Sequence, residues 1–328
     1  MHTVLSIIAL ALALSGAASA QTPVPNPWWD GYFTGSTQVA LPDGRRINLY
    51  CQGKGAPTVV LDAGLGDGAW SWRTVQGRIA ATTRVCAYDR AGYGGSDPGP
   101  GPRDLRALTR DLEAVLTAGK VPGPYVLVGH SAAGLTTRLY AYRHPERVAG
   151  LVLVDPSTEG QGPRLAAAAP GMAKAQALMT GAGKACAQTP RAPAMETFCV
   201  RAPADLPTTL TAQWSRRLGP DHYRAAGAEF EGLMGSNTAQ MEAEWRPFGA
   251  YPVQMLTRGD SAMPGGDKAE QAAVDEVWRE MHDETMKLAP RGVNRVVAGA
   301  GHYIQQDKPD AVVDAVAEVV AQVRAARR

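Results

Sequence analysis

Short apolar runs recur along most of the chain, each closed by a turn signal and followed by residues in which apolar side chains return at helical spacing. Residues 58–62, 84–88, 125–128, 148–154 and 252–256 are such runs, and 294–298 reads as a last strand. Their length and continuous apolar character predict strands buried on both faces. Residues 105–116 read as a helix, and Leu135, Leu139 and Tyr142 recur at helical spacing behind the third run. Near the C-terminus, Val312, Val313, Val316, Val319, Val320 and Val323 share one helical face, the pattern of a helix that closes a core. Residues 37–50 carry two short runs around Pro42-Asp43-Gly44, which predicts a hairpin of two opening strands. Strands alternating with helices predict a mostly parallel sheet covered on both faces.

The alternation breaks between residues 157 and 249, a stretch rich in Ala, Pro and Gly with helix-like pieces at 206–218 and 225–234. A loop of that length without structure of its own does not suit a compact domain, so the segment reads as a helical insert. Lying over the carboxyl end of the sheet, it would act as a lid. At the other end, residues 21–36 include three prolines and the pair Trp28-Trp29, and read as an extended arm whose indoles pack on the domain surface. The expected organisation is therefore a leader (1–20), an arm (21–36), a first core part (37–156), the insert (157–249) and a second core part (250–328).

Composition narrows the class. With 33 basic against 31 acidic residues and no basic patch interleaved with aromatics, nucleic acid is not an expected partner. The first twenty residues carry no Lys, Arg, Asp or Glu, run apolar from Val4 to Leu14 and end in Ala18-Ser19-Ala20 before Gln21. That is the outline of a secretory signal peptide, although His2 stands where a Lys or Arg is usual. The apolar run is too short to span a bilayer, and Gln21 is not a lipidatable cysteine, so the mature chain is expected to be soluble and exported, periplasmic or secreted. Four cysteines suit that compartment. Cys51, Cys86, Cys186 and Cys199 allow three pairings, of which Cys51 with Cys86 and Cys186 with Cys199 need the least chain reach. No C-x-x-C spacing occurs and the histidines are scattered, so neither a metal nor a cofactor is expected.

The chemistry centres on Gly129-His130-Ser131-Ala132-Ala133-Gly134, where an apolar strand meets a helix at a small-residue turn carrying one serine. This is the pattern of a nucleophile elbow, G-x-S-x-G, with Ala133 at the second glycine position and Gly134 one residue later. A serine hydroxyl is a weak nucleophile near neutral pH and needs a base beside it, most often histidine. His2 lies in the leader, His130 beside the serine with its side chain directed elsewhere, His144 at a helix end, His222 in the insert and His282 in a helix. His302 alone follows a strand in a glycine-flanked loop, Gly299-Ala300-Gly301-His302-Tyr303. A carboxylate must then orient the imidazole, and both Asp155 and Asp260 end strands between Ser131 and His302.

Four motifs in this order, Ala63-Gly64-Leu65-Gly66, Asp89-Arg90-Ala91-Gly92-Tyr93-Gly94-Gly95-Ser96, the elbow at 129–134 and Gly301-His302, make the chain resemble the α/β-hydrolase superfamily. The likeness is to single-domain serine hydrolases with an alanine-glycine loop in place of the more frequent histidine-glycine. It covers residues 38–155 and 251 onward and leaves the insert unmatched. The resemblance implies an α/β fold, a mostly parallel eight-stranded sheet with helices on both faces and a helical lid. It also implies an oxyanion hole from the backbone N–H groups of Leu65 and Ala132, a structural Asp89, and a substrate pocket around Gly64, Trp70 and His130. Phosphate binding by the glycine loop is the rival reading, but the lysine of a P-loop is missing. Most of the superfamily takes its acid from the later position, that of Asp260. Relatives with this loop take it from a context like Leu153-Val154-Asp155-Pro156, which favours Asp155.

The implied activity is cleavage of a carboxylic ester, with a small and hydrophobic substrate, by a Ser131–His302–Asp155 triad through an acyl-enzyme. A serine at the elbow argues against epoxide-hydrolase and haloalkane-dehalogenase chemistry, which uses aspartate there. An acyltransferase or cofactor-free perhydrolase would use the same triad, and a non-catalytic binding protein could share the fold.

Overall fold

A computed structural model describes residues 26–191, 193–260 and 267–326; the expected leader and the first residues of the arm lie outside them. Eight strands build one sheet: β1 (Thr37–Ala40), β2 (Arg46–Gln52), β3 (Thr58–Asp62), β4 (Val85–Tyr88), β5 (Tyr125–His130), β6 (Val148–Val154), β7 (Val253–Arg258) and β8 (Gly292–Val297). Their order is β1-β2-β4-β3-β5-β6-β7-β8. The β1–β2 and β2–β4 pairs are antiparallel and every later pair is parallel.

The continuous apolar runs divide between the two faces by the twofold period of a strand. Val59, Leu61, Val126, Val128, Val152 and Val154 join one core with Val312, Val316, Val319 and Val320 of the helix Pro309–Ala325. Their neighbours Val60, Leu127, Leu151 and Leu153 join the opposite core with Leu112 and Val115 of the helix Leu105–Ala118. Asp104 caps that helix by accepting from the Ala107 N–H, and Asp267 caps Lys268–Lys287 in the same way through Ala269 and Glu270. Each parallel crossover thus returns the chain to the same end of the sheet, where β5, β6 and β8 deliver Ser131, Asp155 and His302.

Two local expectations need correction. The segment around Trp28 is a helix, Trp28–Thr34, and its indoles are inside: Trp29 is fully buried and lies edge-on to Trp214 of the insert at 5.6 Å. Trp28 Nε1 donates to Gln76 Oε1 at 3.0 Å. Helical spacing lets Trp28 and Tyr32 stack at 4.8 Å, so one turn buries large apolar area that an extended arm would leave wet. After β3, Ala69–Trp72 forms a 3-10 turn and Gln76–Ala80 one short helix. The insert contains more helices than its periodicity predicts: Gln161–Ala168, Met172–Cys186, Pro193–Cys199, Thr211–Arg217, Pro220–Met234 and Asn237–Ala243. Alanine-rich helices hide from a periodicity search because alanine marks neither face.

Two disulfides are present. Cys51 and Cys86 sit opposite one another across β2 and β4, with Cα atoms 4.0 Å apart. Cys186 and Cys199, 5.6 Å apart at Cα, join the ends of two insert helices. Such crosslinks suit an oxidising compartment. Among the described residues no helix is long and apolar enough to cross a membrane.

Candidate active site

The elbow is built from steric constraints that the sequence carries. Ser131 has φ +54°, a left-handed conformation that costs a non-glycine residue energy and persists only where its surroundings hold it. Here its N–H donates to Val154 O at 3.1 Å, and its carbonyl accepts from Gly134 and Ser157, both at 2.8 Å. A Cβ on Gly129 would stand 2.6 Å from Ala133 O, and one on Gly134 would stand 2.4 Å from Pro156 Cβ. Gly134 is therefore the glycine that the close approach of the loop after β6 demands. Ala133, at the position usually written as glycine, is buried with its methyl accommodated.

Ser131 Oγ lies 2.9 Å from His302 Nε2, and His302 Nδ1 lies 2.6 Å from Asp155 Oδ2. The carboxylate accepts from Nδ1–H, which leaves Nε2 to accept the serine proton. Asp155 is fully buried and itself left-handed, φ +43°, directly after β6, the strand beside β5. Its Oδ1 accepts from the Arg258 N–H at 3.0 Å and from Trp278 Nε1 at 2.8 Å, and its Oδ2 also accepts from Arg258 Nη1 at 2.9 Å. Burial alone would raise this carboxyl, but the hydrogen bond and charge of His302, with the Arg258 guanidinium, hold it well below the usual carboxylate range. Asp260, the alternative acid, is exposed two residues beyond the end of β7, with its backbone N–H donating to Ala300 O at 3.1 Å. The ring of His302 meets Asp155.

The remaining expected residues fall around this chain of hydrogen bonds. Gly64 backs directly onto the elbow, since a Cβ there would be 2.9 Å from His130 Nδ1 and 3.0 Å from Ser131 Cβ. Among the described residues, neither the Leu65 nor the Ala132 backbone N–H has a hydrogen-bond acceptor. His130 is 1% exposed and lies beneath the surface; its Nε2–H donates to the His302 carbonyl at 2.9 Å. Burial, followed by the nearby His302, pushes its imidazole down to about 3, so it stays neutral. Trp70 is also buried, edge-on to Trp214 of the insert at 5.2 Å, and Trp72 packs edge-on to His130. Asp89 accepts from Tyr32 Oη, Asn48 Nδ2 and the N–H groups of Ala69 and Gly95. Sequence reasoning missed Arg258 and Trp278 as partners of Asp155, because nothing local marks a side chain that reaches an acid over 103 or 123 residues. Among the described residues no three His, Cys, Asp or Glu side chains gather as a metal site.

The profile of the alpha/beta hydrolase family matches residues 59–315, and the chain belongs to that family. Among curated relatives, the "Putative carbamate hydrolase RutD" of Azorhizobium caulinodans is 38% identical over 113 residues, 34% of this chain and 42% of that protein. The "Uncharacterized protein YqjL" of Bacillus subtilis is 32% identical over 106 residues, 32% of this chain and 42% of its own length. The chain thus spans less than half the length of either relative. Among solved structures, a thermophilic esterase from Thermogutta terrifontis superposes with a TM-score of 0.59 at 17% identity, covering 88% of this chain and 98% of that one. The epoxide hydrolase CorEH superposes with a TM-score of 0.60 at 19% identity, covering 87% and 98%. At such identities the likeness concerns the fold.

Proposed function

We propose that the protein is a serine hydrolase that cleaves carboxylic esters through an acyl-enzyme. The observation that carries this reading is the continuous hydrogen-bond chain from Ser131 Oγ through the His302 ring to Asp155. In the first half-reaction Ser131 Oγ attacks the ester carbonyl while His302 Nε2 takes its proton. The oxyanion is met by the Leu65 and Ala132 N–H groups. The tetrahedral adduct collapses, the alkoxide leaves with the proton returned from His302, and the acyl group stays on Ser131. Water then attacks the acyl carbonyl, gives its proton to His302, and releases the acid as Ser131 recovers its hydrogen. Asp155 keeps the imidazole in the required tautomer and stabilises its cation, and its ties to Arg258 and Trp278 keep it ionised and fixed.

An ester is preferred to an amide because an alkoxide leaves more readily than an amine. A carbamate, the bond named for the RutD relative, offers the same carbonyl to the same nucleophile. The helices between β6 and β7 are read as a lid that shapes a pocket for a small hydrophobic acyl or alcohol group. The leader and the two disulfides together support export to the periplasm or beyond.

A fluorophosphonate probe should label the wild type and not Ser131→Ala. Turnover of 4-nitrophenyl butyrate should fall about a millionfold in that variant. Replacing Asp155 by Asn should lower kcat about ten-thousandfold, whereas Asp260→Asn should stay near wild type. Unreduced labelling of Ser131→Ala refutes the hydrolase reading, and loss of activity in Asp260→Asn alone refutes the choice of acid.

A further inference from the structure

The glycine-rich loop beside Ser131 is held from behind by a side chain of the insert. Arg90, 3% exposed, lies between the two. Its Nη2 donates to Gly64 O at 2.7 Å, and its Nη1 donates to Ala63 O and to Asp62 Oδ1, the latter at 2.9 Å. The other edge of the guanidinium faces Glu229 of the helix Pro220–Met234: Nε donates to both carboxylate oxygens at 3.1 Å and Nη2 to Oε2 at 2.9 Å. Glu229 is 2% exposed. It also accepts from Tyr93 Oη at 2.8 Å, and that hydroxyl oxygen accepts the Gly66 N–H at 3.2 Å. One carboxylate therefore anchors both groups that grip the loop on either side of Leu65.

The approach of this helix is itself built in. Ala225 precedes Glu229 by one turn, on the same face, and its Cβ would stand 2.6 Å from a Cβ at Gly92, which has φ +87°. Only glycine lets the loop after β4 and the insert helix come this close.

The consequence for chemistry follows from amide planarity. Gly64 C=O and Leu65 N–H are opposite ends of one planar trans peptide unit, so they point in opposite directions. A guanidinium fixed on that carbonyl fixes where the Leu65 N–H points, and its charge polarises the amide towards stronger donation. Among the described residues Asp62, on Nη1, is the other ion partner of Arg90, so without Glu229 the Nε and Nη2 edge of the guanidinium loses its charged anchor.

We propose that Glu229 is a positioning residue for ester cleavage: from the insert it locks Arg90 onto the Ala63 and Gly64 carbonyls, and so aims the Leu65 N–H at the developing oxyanion. This rests on the serine-hydrolase reading above. The insert is then part of the catalytic apparatus as well as a cover.

The test is Glu229→Gln in the full chain, with rates normalised to active sites titrated by fluorophosphonate. For 4-nitrophenyl butyrate, kcat should fall about tenfold to hundredfold while KM stays within about threefold, since the lost interaction belongs to the transition state. The inhibition constant of an alkyl boronic acid, which forms a tetrahedral adduct on serine, should rise by a similar factor. Glu229→Asp, which keeps the charge, should recover part of kcat. A merely structural role would lower the melting temperature and leave kcat per active site and boronate affinity unchanged, and that result overturns the proposal. So does a rise in KM alone. If Glu229→Gln does not fold, Arg90→Lys, whose single ammonium cannot bridge the Gly64 carbonyl and Glu229 as the guanidinium does, is read in the same way, and a wild-type kcat in that variant overturns the proposal. Activity that survives Ser131→Ala refutes the hydrolase reading; activity lost there but unchanged in Glu229→Gln refutes only the role of Glu229.

Discussion

At the scale of single residues, the sequence marks some groups and hides others for a physical reason. Ser131 and His302 stand in local patterns, a strand-to-helix turn and a glycine-flanked loop, that few other chemistries need. Asp155 and Asp260 look alike in one dimension, since both follow apolar runs. What separates them is that β6 lies beside β5 and that Arg258 and Trp278 converge on Asp155, relations that exist only after the sheet forms. Buried histidines are equally silent in the sequence. His222 is 4% exposed against Tyr93 and Trp70, and burial pushes its imidazole down from 6.5 to about 4. Because the folded value lies below the unfolded one, the stability tied to its neutral ring is complete above 6.5 and is lost as pH falls towards 4. His130 acts in the same direction, while Asp62 and Asp67, raised by burial to about 6, favour the fold as pH falls through that value. A difference measurement isolates His222. Urea unfolding between pH 7 and 4.5 should show wild type losing stability relative to His222→Gln by up to about 1.4 kcal/mol per pH unit. A gap that does not change with pH would contradict the buried neutral ring.

At the scale of elements, the elbow shows that a motif is a record of contacts. Gly129 and Gly134 are each demanded by backbone or ring atoms less than 3 Å from a missing Cβ, whereas Ala133 is not. Gly134→Ala should therefore cost about 1–3 kcal/mol by overpacking, and should lower kcat as the turn shifts Ser131. Ala133→Gly should cost about 1 kcal/mol of helix propensity and leave kcat within a few-fold. Thermal melts and ester turnover check both, and the reverse ranking would remove this account of the off-pattern residue. The same logic explains the misread first helix. Proline spacing near residue 25 suggests extension, yet Trp28, Trp29 and Tyr32 gain more by burying their rings against the insert and Tyr50 than the extended chain could offer.

At the scale of the whole molecule, the mostly parallel sheet follows from the alternation visible in the sequence, while the order of its strands and the packing of the insert do not. Its helices are held by long-range ties: Arg73 to Asp205, Arg106 and Arg143 to Glu244, and Arg90 to Glu229. Within the insert, the Cys186–Cys199 bond closes a separation of 13 residues, for which chain entropy alone predicts about 3 kcal/mol. Replacing both cysteines by serine should lower the urea midpoint accordingly and make the helices they join the first sites of proteolysis. An unchanged midpoint would mean that packing alone holds them.

The sheet itself does not need the insert to keep its register, because β6 and β7 pair directly from Leu151 with Val253 to Val154 with Leu256. A stretch of chain hung between two neighbouring strands is open to exchange in evolution or by grafting, and substrate preference could be swapped with it. The position of Glu229 limits that freedom. Any foreign segment placed there would have to bring its own anion to Arg90, or inherit a scaffold whose loop had lost its aim.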